Sequence, residues 1–512
     1  MKEAQSGPSL ALYVRDTEIC SQAGSSGIDE RGFTMRVGLM TEFPSVSVQS
    51  GPAIHTRFLY DTMTRRGHDV TVMGPDTTGL APLYAEKNHL YRGKPYPTHP
   101  KVTVPMPGEF SNMLDAPEVD VIHSQTNMHM VHYAYWMRNM WQIPVLNTHT
   151  VHLPTHSHLI LSDKLYKIPF LRNVMRRMAE RMERNFAKLY NEGDCLIVQS
   201  KHFVQYWRDR GVTIPIEVQG RPIDPRKFSA EPGADPYPSR FRRGKRLFVA
   251  CRHDREKSLD QLIRIFDQHI APKDSEITLT LAGNGFDHAN LVAQADRSEY
   301  RDRILFPGEL GHGTLNSWYR YADVFAYTSV SETFGNVVNE ALWCGIPVVA
   351  LNDNMGVAHQ MQNEVNGYLL EPKNADVEEA FGERCVRLCT QDLLRKNMGR
   401  KAEALCIEAS HPDNVAARFE KIYAEAIERC RRSVPRPLSE KARSRQVLSL
   451  SQRLGRWGFY TSLLLAISHF TTKFGKKRTE GTPSMVSNPI AFEPKVATSL
   501  EGQVEARWRA GA

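Results

Sequence analysis

Short apolar runs alternate with stretches of helical periodicity along most of the chain, and the runs fall into two sets. The runs of the first set begin at Arg36, Asp69, Asp120, Ile143 and Cys195. Those of the second set begin at Arg246, Ile277, Arg303, Asp323 and Pro347. Apolar runs separated by helices are typical of parallel sheets covered on both faces. The pattern predicts an α/β protein with two doubly wound, Rossmann-like domains.

The 512 residues suit two domains with extensions. Residues 221–244 are rich in Pro, Gly and Arg and lack periodicity, which predicts a linker. The predicted segments are a flexible leader (1–34), an N-terminal domain (35–220), the linker (221–244), a C-terminal domain (245–428), a basic extension (429–478) and a disordered tail (479–512). The leader carries several charges and no long apolar core, so it is not expected to be a secretory signal.

The net charge of +8 belongs to the C-terminal extension, because residues 429–478 contain thirteen Lys or Arg and one acid. An apolar run at 457–470 is too short to span a bilayer and is flanked by cations, which favours attachment to an anionic membrane surface. Packing of this segment on the protein itself is the competing interpretation. The eight cysteines form no C-x-x-C pair, so we expect a reducing, cytoplasmic protein at the inner face of the plasma membrane.

A second basic amphipathic segment, residues 171–189, has apolar residues at helical spacing and cations between them. Such a helix either lies on an anionic bilayer or packs its apolar stripe on its own domain, and the sequence favours neither alternative.

Two places have the pattern of a ligand-binding turn between a strand and a helix. Gly51 follows the first strand and opens a helix, although glycine turns at this place are common. After a later strand, a polar loop carries Glu332, then Phe334 and Gly335 open a helix that contains Glu340. A helix N-terminus suits a diphosphate. On spacing alone, the favoured interpretation is that Glu332 caps a helix and Glu340 is simply exposed.

The second segment resembles the E-x7-E signature of the family 4 retaining glycosyltransferases, which have the GT-B fold with two Rossmann-like domains facing a cleft. Four further stretches resemble family motifs in the same order: Arg65-Arg-Gly-His-Asp-Val-Thr-Val, Val145-Leu-Asn-Thr-His149, Val249-Ala-Cys-Arg252 through Lys257, and Leu281-Ala-Gly283-Asn-Gly285. Together they cover roughly residues 35–425. Cys251 and Ser258 stand where the family usually has glycine, and Asn339 and Trp343 are also unusual for it.

The resemblance implies a role for each matching residue. The implied catalytic residues are His149 near the transferred sugar, Arg252 and Lys257 on the donor diphosphate, and Glu332 on sugar hydroxyls. The implied donor-binding residues are Gly51, Gly283, Gly285, Phe334, Gly335 and Glu340, the last on the nucleotide ribose. Preorganised cations stabilise the charge that develops on the departing nucleotide.

No D-x-D occurs in the sequence, whereas Arg252 and Lys257 can neutralise a diphosphate. We therefore expect no metal and no cofactor beyond the nucleotide-sugar, of the UDP-glucose or GDP-mannose type. The resemblance implies retention at the anomeric carbon.

The expected acceptor is a membrane lipid such as diacylglycerol or a glycolipid, and residues 148–166 resemble the acceptor side of diacylglycerol-type enzymes. A soluble sugar or glycan acceptor is the alternative, and a non-catalytic nucleotide-sugar-binding protein is a further one. Aromatic residues at 457–460 are able to stack on bases, but no nucleic-acid motif is present, so no nucleic-acid partner is expected.

Overall fold

The structure is a computed structural model that describes residues 34–41, 51–76, 89–96, 99–105, 118–125, 129–150 and 169–433. The leader, the tail and the basic extension beyond residue 433 lie outside the described residues. No helix within the described ranges is long and apolar enough to cross a membrane.

The first sheet has eight strands in the order β4-β3-β2-β1-β5-β6-β7-β8. Its strands are β1 (Arg36–Met40), β2 (Asp69–Asp76), β3 (His89–Tyr96), β4 (His99–Pro105), β5 (Val121–Ser124), β6 (Val145–Thr148), β7 (Cys195–Val198) and β8 (Ile216–Val218). All neighbours are parallel except β3 and β4. Its described helices are α1 (Gly51–Arg65), α2 (His129–Trp141), α3 (Pro169–Tyr190) and α4 (His202–Asp209).

The second sheet has six parallel strands in the order β11-β10-β9-β12-β13-β14. They are β9 (Lys245–Ala250), β10 (Ile277–Ala282), β11 (Ile304–Gly308), β12 (Val324–Tyr327), β13 (Val348–Leu351) and β14 (Gly367–Leu370). The helices that follow are α5 (Leu259–Ile265), α6 (His288–Ala295), α7 (His312–Arg320), α8 (Asn336–Trp343), α9 (Gly356–Gln360), α10 (Val377–Thr390), α11 (Asp392–Ser410) and α12 (Pro412–Ser433). The sheet lies inside one large apolar core with helices on both faces.

The last described helix, α12, returns to the first sheet. Its residues Val415, Phe419 and Tyr423 are buried in the same cluster as Val37 and Leu39 of β1. Arg66, after α1, forms an ion pair with Glu420 of α12 at 2.6 Å. Residues 245–428 were assigned from sequence to the C-terminal domain, and that expectation did not include this packing on the first sheet.

Two residues of α8 that the family resemblance left unexplained attach the linker to the second sheet. The amide of Asn339 donates to the carbonyl of Arg221 at 3.1 Å, and its oxygen accepts from Ser410 Oγ at 3.0 Å. The indole of Trp343 donates to the carbonyl of Phe228 at 2.9 Å. Both side chains are buried. Because buried polar groups need partners, these contacts fix where the linker runs.

The prediction of two Rossmann-like domains with the GT-B architecture is confirmed. The strands β3, β4, β8 and β14 were not predicted. The sequence of β3 is polar and both β3 and β4 contain proline, so neither has the apolar run of a central strand. The finer domain boundaries stay a prediction.

Candidate active site

The second sheet reverses its strand order between β9 and β12. From β9 the chain proceeds outward through β10 and β11, then returns to the other side of β9 as β12. The two strands pair in parallel, with Phe248 opposite Phe325. The loops after β9 and β12 therefore leave the same edge of the sheet in different directions, which opens the crevice where doubly wound folds bind ligands. These loops carry Arg252, Lys257 and Glu332.

Lys257, which is buried, forms an ion pair across this crevice with Glu332, which is partly buried. The same carboxylate oxygen accepts from Tyr327 at 2.6 Å and from Ser329 at 3.0 Å. Burial acts to lower the pKa of Lys257, but the charges of Glu332 and Glu256 outweigh it and the pKa is raised. The ammonium is therefore a fixed positive charge at neutral pH, held in place by several partners.

Arg252 lies on the same loop and is also paired with carboxylates. It forms ion pairs with Asp254 and, at 3.0 Å, with Glu256. Its side chain is 46% exposed, far more than that of Lys257. The structure thus brings Arg252, Lys257 and Glu332 into one charged cluster, in which three carboxylates face two cations.

Ser258 stands where the family resemblance places glycine, and its backbone is left-handed with a φ of 50°. This conformation costs a non-glycine residue about 1–2 kcal/mol. The hydroxyl of Thr328 donates to the carbonyls of Lys257 and Ser258, at 3.1 and 2.8 Å, and so ties this turn to β12. Burial raises the pKa of the neighbouring Cys251 thiol to about 12.

Gly283 and Gly285 pack against the backbone of the Arg252 loop. A Cβ at Gly283 would collide with the carbonyl oxygen of Cys251, and one at Gly285 would come within 2.5 Å of the carbonyl oxygen of His253. The backbone of the two loops is also joined, because the amide of His253 donates to the carbonyl of Asn284 at 2.9 Å. The glycines are required for this close packing, and a direct contact with the donor stays a prediction.

Phe334 and Gly335 form the turn into α8, and Gly335 has a φ of 81°. α9 supports this turn from behind, since the amide of Gln360 donates to the carbonyls of Phe334 and Gly335. The amide of Gly356 donates to the carbonyl of Glu332 at 2.8 Å. The ring of Phe334 is buried and lines a cavity of about 450 Å³ together with residues 218–220 and residues of α8, α9 and α11.

Glu340 is partly buried on α8 and accepts a hydrogen bond from Tyr319 Oη at 2.9 Å. Burial raises the pKa of its carboxyl group to about 7. The sequence alternative of a plainly exposed carboxylate therefore does not describe it. Its predicted contact with a ribose is not tested by these contacts.

The two predicted site residues of the first domain have different surroundings. Gly51 is the first residue of α1. His149 follows β6 and is only 1% exposed, with Trp207 and Phe203 edge-on at 4.8 and 5.3 Å between ring centroids. Its Nδ1 lies 3.2 Å from Tyr190 Oη. His149 thus occupies an aromatic core between α3 and α4, and its role at the transferred sugar stays a prediction.

Sequence reasoning missed several residues that complete the cluster: Tyr327, Ser329, Asp254 and Glu256. Tyr327 was hidden because it ends an apolar strand and looks like a core residue. Asp254 and Glu256 alternate with the cations and were available as a signal. Within the described ranges, no group of three or more His, Cys, Asp or Glu is arranged to hold a metal ion.

One Rossmann-like sheet carries a lysine–glutamate pair at its switch point. A linker and a returning helix join this sheet to a second such sheet. This arrangement is that of a two-domain transferase of the GT-B type. A family model described as Glycosyltransferase Family 4 matches residues 49–227, and one described as Glycosyl transferases group 1 matches residues 239–405. The two matches cover more than half of the chain. The chain belongs to the family 4 glycosyltransferases, and the prediction of an enzyme of the hexosyltransferase class is confirmed.

Individual relatives agree with this assignment. The chain is 23% identical over 417 residues to the alpha-monoglucosyldiacylglycerol synthase of Streptococcus pneumoniae, covering 74% of this chain and 87% of the relative. Several other curated relatives are matched over about half of their own length or less.

Two solved structures share the fold. The sucrose-phosphate synthase of Thermosynechococcus elongatus has a TM-score of 0.57 at 19% identity, covering 77% of this chain and all of that one. Anabaena HepE in complex with UDP and glucose has a TM-score of 0.54 at 16% identity, covering 76% of this chain and all of that one.

Proposed function

We propose that this enzyme transfers a hexose from a nucleoside diphosphate sugar to a membrane lipid, with retention at the anomeric carbon and without a metal ion. The donor part rests on the ion pair of buried Lys257 with Glu332, beside Arg252 at the switch point of the sheet. Two cations and a carboxylate at this edge match what the reaction needs: charge for the leaving diphosphate and an acceptor for sugar hydroxyls.

The reaction places negative charge on the diphosphate as the bond to the sugar breaks. Lys257 is held rigidly and Arg252 is more exposed, so the guanidinium is the cation that is able to turn from Asp254 and Glu256 toward the donor. A bidentate guanidinium and an ammonium in a poorly solvated crevice supply the neutralisation that a divalent cation supplies elsewhere. The absence of a D-x-D from the sequence is consistent with this proposal.

The donor-binding part is further supported by HepE, whose structure contains UDP and glucose on the same fold. In that comparison only the fold is shared, so the donor base and sugar are proposed here from the site's charge and the family resemblance. Retention rests on the family resemblance alone.

A lipid acceptor is supported by α3 and by one relative. The side chains of Arg176, Arg177, Arg181, Arg184 and Lys188 are exposed on α3. Phe170, at its start, is 73% exposed. Each cation near an anionic surface contributes about 1 kcal/mol to membrane binding. The relative from Streptococcus pneumoniae carries a name that describes a diacylglycerol-glucosylating enzyme.

Some apolar residues of α3 pack on its own domain, and others are partly exposed. Ala179, Ala187 and Leu189 are buried in the domain, whereas Met178 and Met182 are only partly buried. The helix therefore packs its stripe on its own domain and still presents a cationic surface. The predicted contribution of residues 453–478 lies outside the described residues.

A soluble sugar or glycan acceptor is the second candidate, because the sucrose-phosphate synthase shares this fold and carries a name that describes a soluble product. The two candidates differ in a measurable way. A lipid acceptor requires vesicles for transfer, whereas a soluble acceptor does not.

The test is a panel of nucleotide-sugars assayed for hydrolysis and transfer, with and without anionic vesicles containing diacylglycerol, and with and without EDTA. We expect one donor to be turned over in a vesicle-dependent, EDTA-resistant manner. Glu332→Ala should abolish that turnover, while Glu379→Ala, at an exposed position on α10, should leave it unchanged. Loss of activity in EDTA would contradict metal independence.

The contribution of α3 is tested by replacing Arg177, Arg181 and Arg184 with glutamine. We expect weaker binding to anionic vesicles and lower transfer to lipid, with donor hydrolysis retained. A charge-matched control replaces Lys396, Arg400 and Lys401, which are exposed on α11. Equal vesicle binding by both triple variants would show that α3 is not the membrane contact.

A further inference from the structure

Arg221, the first residue of the linker, is held beside the turn at Phe334 and Gly335 by its own backbone and by Gly220. Its carbonyl accepts from Asn339 of α8. Gly220, just before it, lies against the ring of Phe334, since a Cβ there would be 3.1 Å from Phe334 Cε2. The backbone of Arg221 therefore keeps its position relative to the turn at Phe334 and Gly335.

The guanidinium of Arg221 lies at the start of α8. Its Nη1 donates to Asn336 Oδ1 at 3.3 Å. Its Nε is buried and has no hydrogen-bond partner among the described residues. A guanidinium carries five N–H donors, and a buried donor atom without a partner is unusual.

This guanidinium interacts electrostatically with a carboxylate of the second domain and with a histidine of the first. Burial lowers the pKa of Arg221 to about 10, and the carboxylate of Glu332 opposes that shift. His55, on α1, has a pKa lowered to about 4, first by burial and then by the charge of Arg221. Arg221 is thus charged at neutral pH and lies within electrostatic reach of both Glu332 and the first helix, where the two Rossmann-like domains meet.

We propose that Arg221 is a donor-binding residue that donates to an anionic oxygen of the donor's diphosphate, as a third cation beside Arg252 and Lys257. This inference rests on the proposed function. Arg252 and Lys257 are already paired with Asp254, Glu256 and Glu332, so their charge is largely balanced within the cluster. Arg221 adds a positive charge with an unused donor, beside the helix N-terminus that suits a phosphate.

The test measures nucleotide binding by titration calorimetry, using UDP, GDP and the matching monophosphates UMP and GMP. Arg221→Gln should weaken binding of the preferred diphosphate about 10- to 100-fold, the loss of a charge-assisted hydrogen bond in a poorly solvated site. Binding of the monophosphate should change less than about threefold, and Arg221→Lys should have an intermediate effect. Arg226→Gln is the matched control, because Arg226 is an 80% exposed linker arginine paired with Asp224.

Three outcomes separate the inference from its alternatives. Equal weakening of diphosphate and monophosphate by R221Q would overturn it, because the residue would then act on the nucleoside or on folding. Asn336→Ala breaks the same hydrogen bond and keeps the cation; if it weakens UDP binding as much as R221Q does, the inference is wrong. Wild-type protein that binds none of the nucleotides would instead contradict the proposed function itself. Melting temperatures of all variants are compared first, and R221K serves where R221Q does not fold.

Discussion

The proposed donor half of the site, on the second sheet, consists of paired charges. The described part of the proposed acceptor half, on the first sheet, consists of a histidine enclosed by aromatic rings. Around the loops after β9 and β12, Lys257 and Arg252 contact three carboxylates, and Glu256 pairs with both cations. Around β6, His149 is surrounded by Tyr190, Phe203 and Trp207 and is almost fully buried.

This difference reflects what each half has to do. A diphosphate brings negative charge, so the residues that await it must be cations, and in its absence these cations need carboxylate partners. A sugar or lipid acceptor brings little charge. The described acceptor half can therefore be neutral, with its shape fixed by packing, while the loops after β1, β2 and β5 lie outside the described residues. The following predictions test whether this contrast of charge and packing is correct.

The largest effect is expected for Lys257→Met. The substitution removes a cation from the position where the leaving group gains charge, and we expect kcat to fall about 10²- to 10³-fold. It also leaves the partly buried Glu332 without its ion-pair partner, which should cost about 3 kcal/mol in the free energy of unfolding. Steady-state kinetics with the preferred donor, together with urea unfolding, measure both quantities.

Two further variants separate charge from folding at this pair. The double variant Lys257→Met with Glu332→Gln should recover part of the stability but none of the activity, since no carboxylate is left unpaired. Lys273→Met, which removes a half-exposed lysine paired with Glu383, is the control and should change neither quantity by much. A double variant as active as wild type would disprove the electrostatic role of the donor half.

His149→Ala tests the other side of the comparison. The substitution empties a space enclosed by Phe203 and Trp207, so we expect a loss of about 2–4 kcal/mol in the free energy of unfolding. Tyr190→Phe, which removes only the hydroxyl near His149 Nδ1, should cost about 1 kcal/mol. The contrast fails if His149→Ala retains the wild-type melting temperature and loses turnover, because the histidine would then act on the substrate rather than in the core.

The two halves also differ in how much could be predicted from sequence. The apolar runs of β1, β9, β12 and β13 are continuous because both faces of each sheet are covered, so their positions and the two-domain fold were predictable. Arg252, Lys257 and Glu332 were identified by resemblance, and the switch-point topology explains why they meet. Ion pairs between the loops, such as Lys257 with Glu332, join residues 75 positions apart and have no local signal.

Other features depend on tertiary packing that no single segment encodes. The return of α12 to the first sheet was missed because its apolar periodicity is the same whichever core it packs against. Arg221 was assigned to the linker because its surroundings are rich in Pro and Arg. Only its contacts with Asn336 and Asn339 reveal that it lies beside the start of α8. The burial of His149 likewise depends on α3 and α4, which come later in the chain.

Glu340→Gln is expected to have a smaller, pH-dependent effect. Burial raises the pKa of this carboxyl group to about 7, so it is largely protonated below that pH and gains its charge above it. Because a carboxylate accepts from two ribose hydroxyls better than a carboxylic acid does, the proposed role predicts that the donor KM falls as pH rises through about 7. The amide cannot ionise, so in the variant the KM should be flat with pH and about tenfold higher at pH 8.

The same titration affects stability in the opposite direction, which gives an independent check. A carboxyl group with a raised pKa in the folded state favours folding below its unfolded value, and that contribution is lost as pH rises from about 4.5 to 7. Wild-type protein should therefore lose stability over this range more than Glu340→Gln does. A KM profile that persists unchanged in the variant would assign the titration to another group.

The smallest effect is expected for Asp254→Asn, and it acts in the direction of improved binding. Asp254 pairs with Arg252 in the donor-free site and so competes with the diphosphate for the guanidinium. Because Arg252 is nearly half exposed, the pair is worth about 0.2–1 kcal/mol, and removing its negative charge should lower the donor KM about threefold. Asp296→Asn, which removes a carboxylate from the exposed pair with Arg301, is the matched control and should leave the KM unchanged. If Asp254→Asn raises the KM instead, then the carboxylate orients Arg252 toward the donor, and the carboxylates of this loop serve to position the cations rather than to neutralise them until the donor binds.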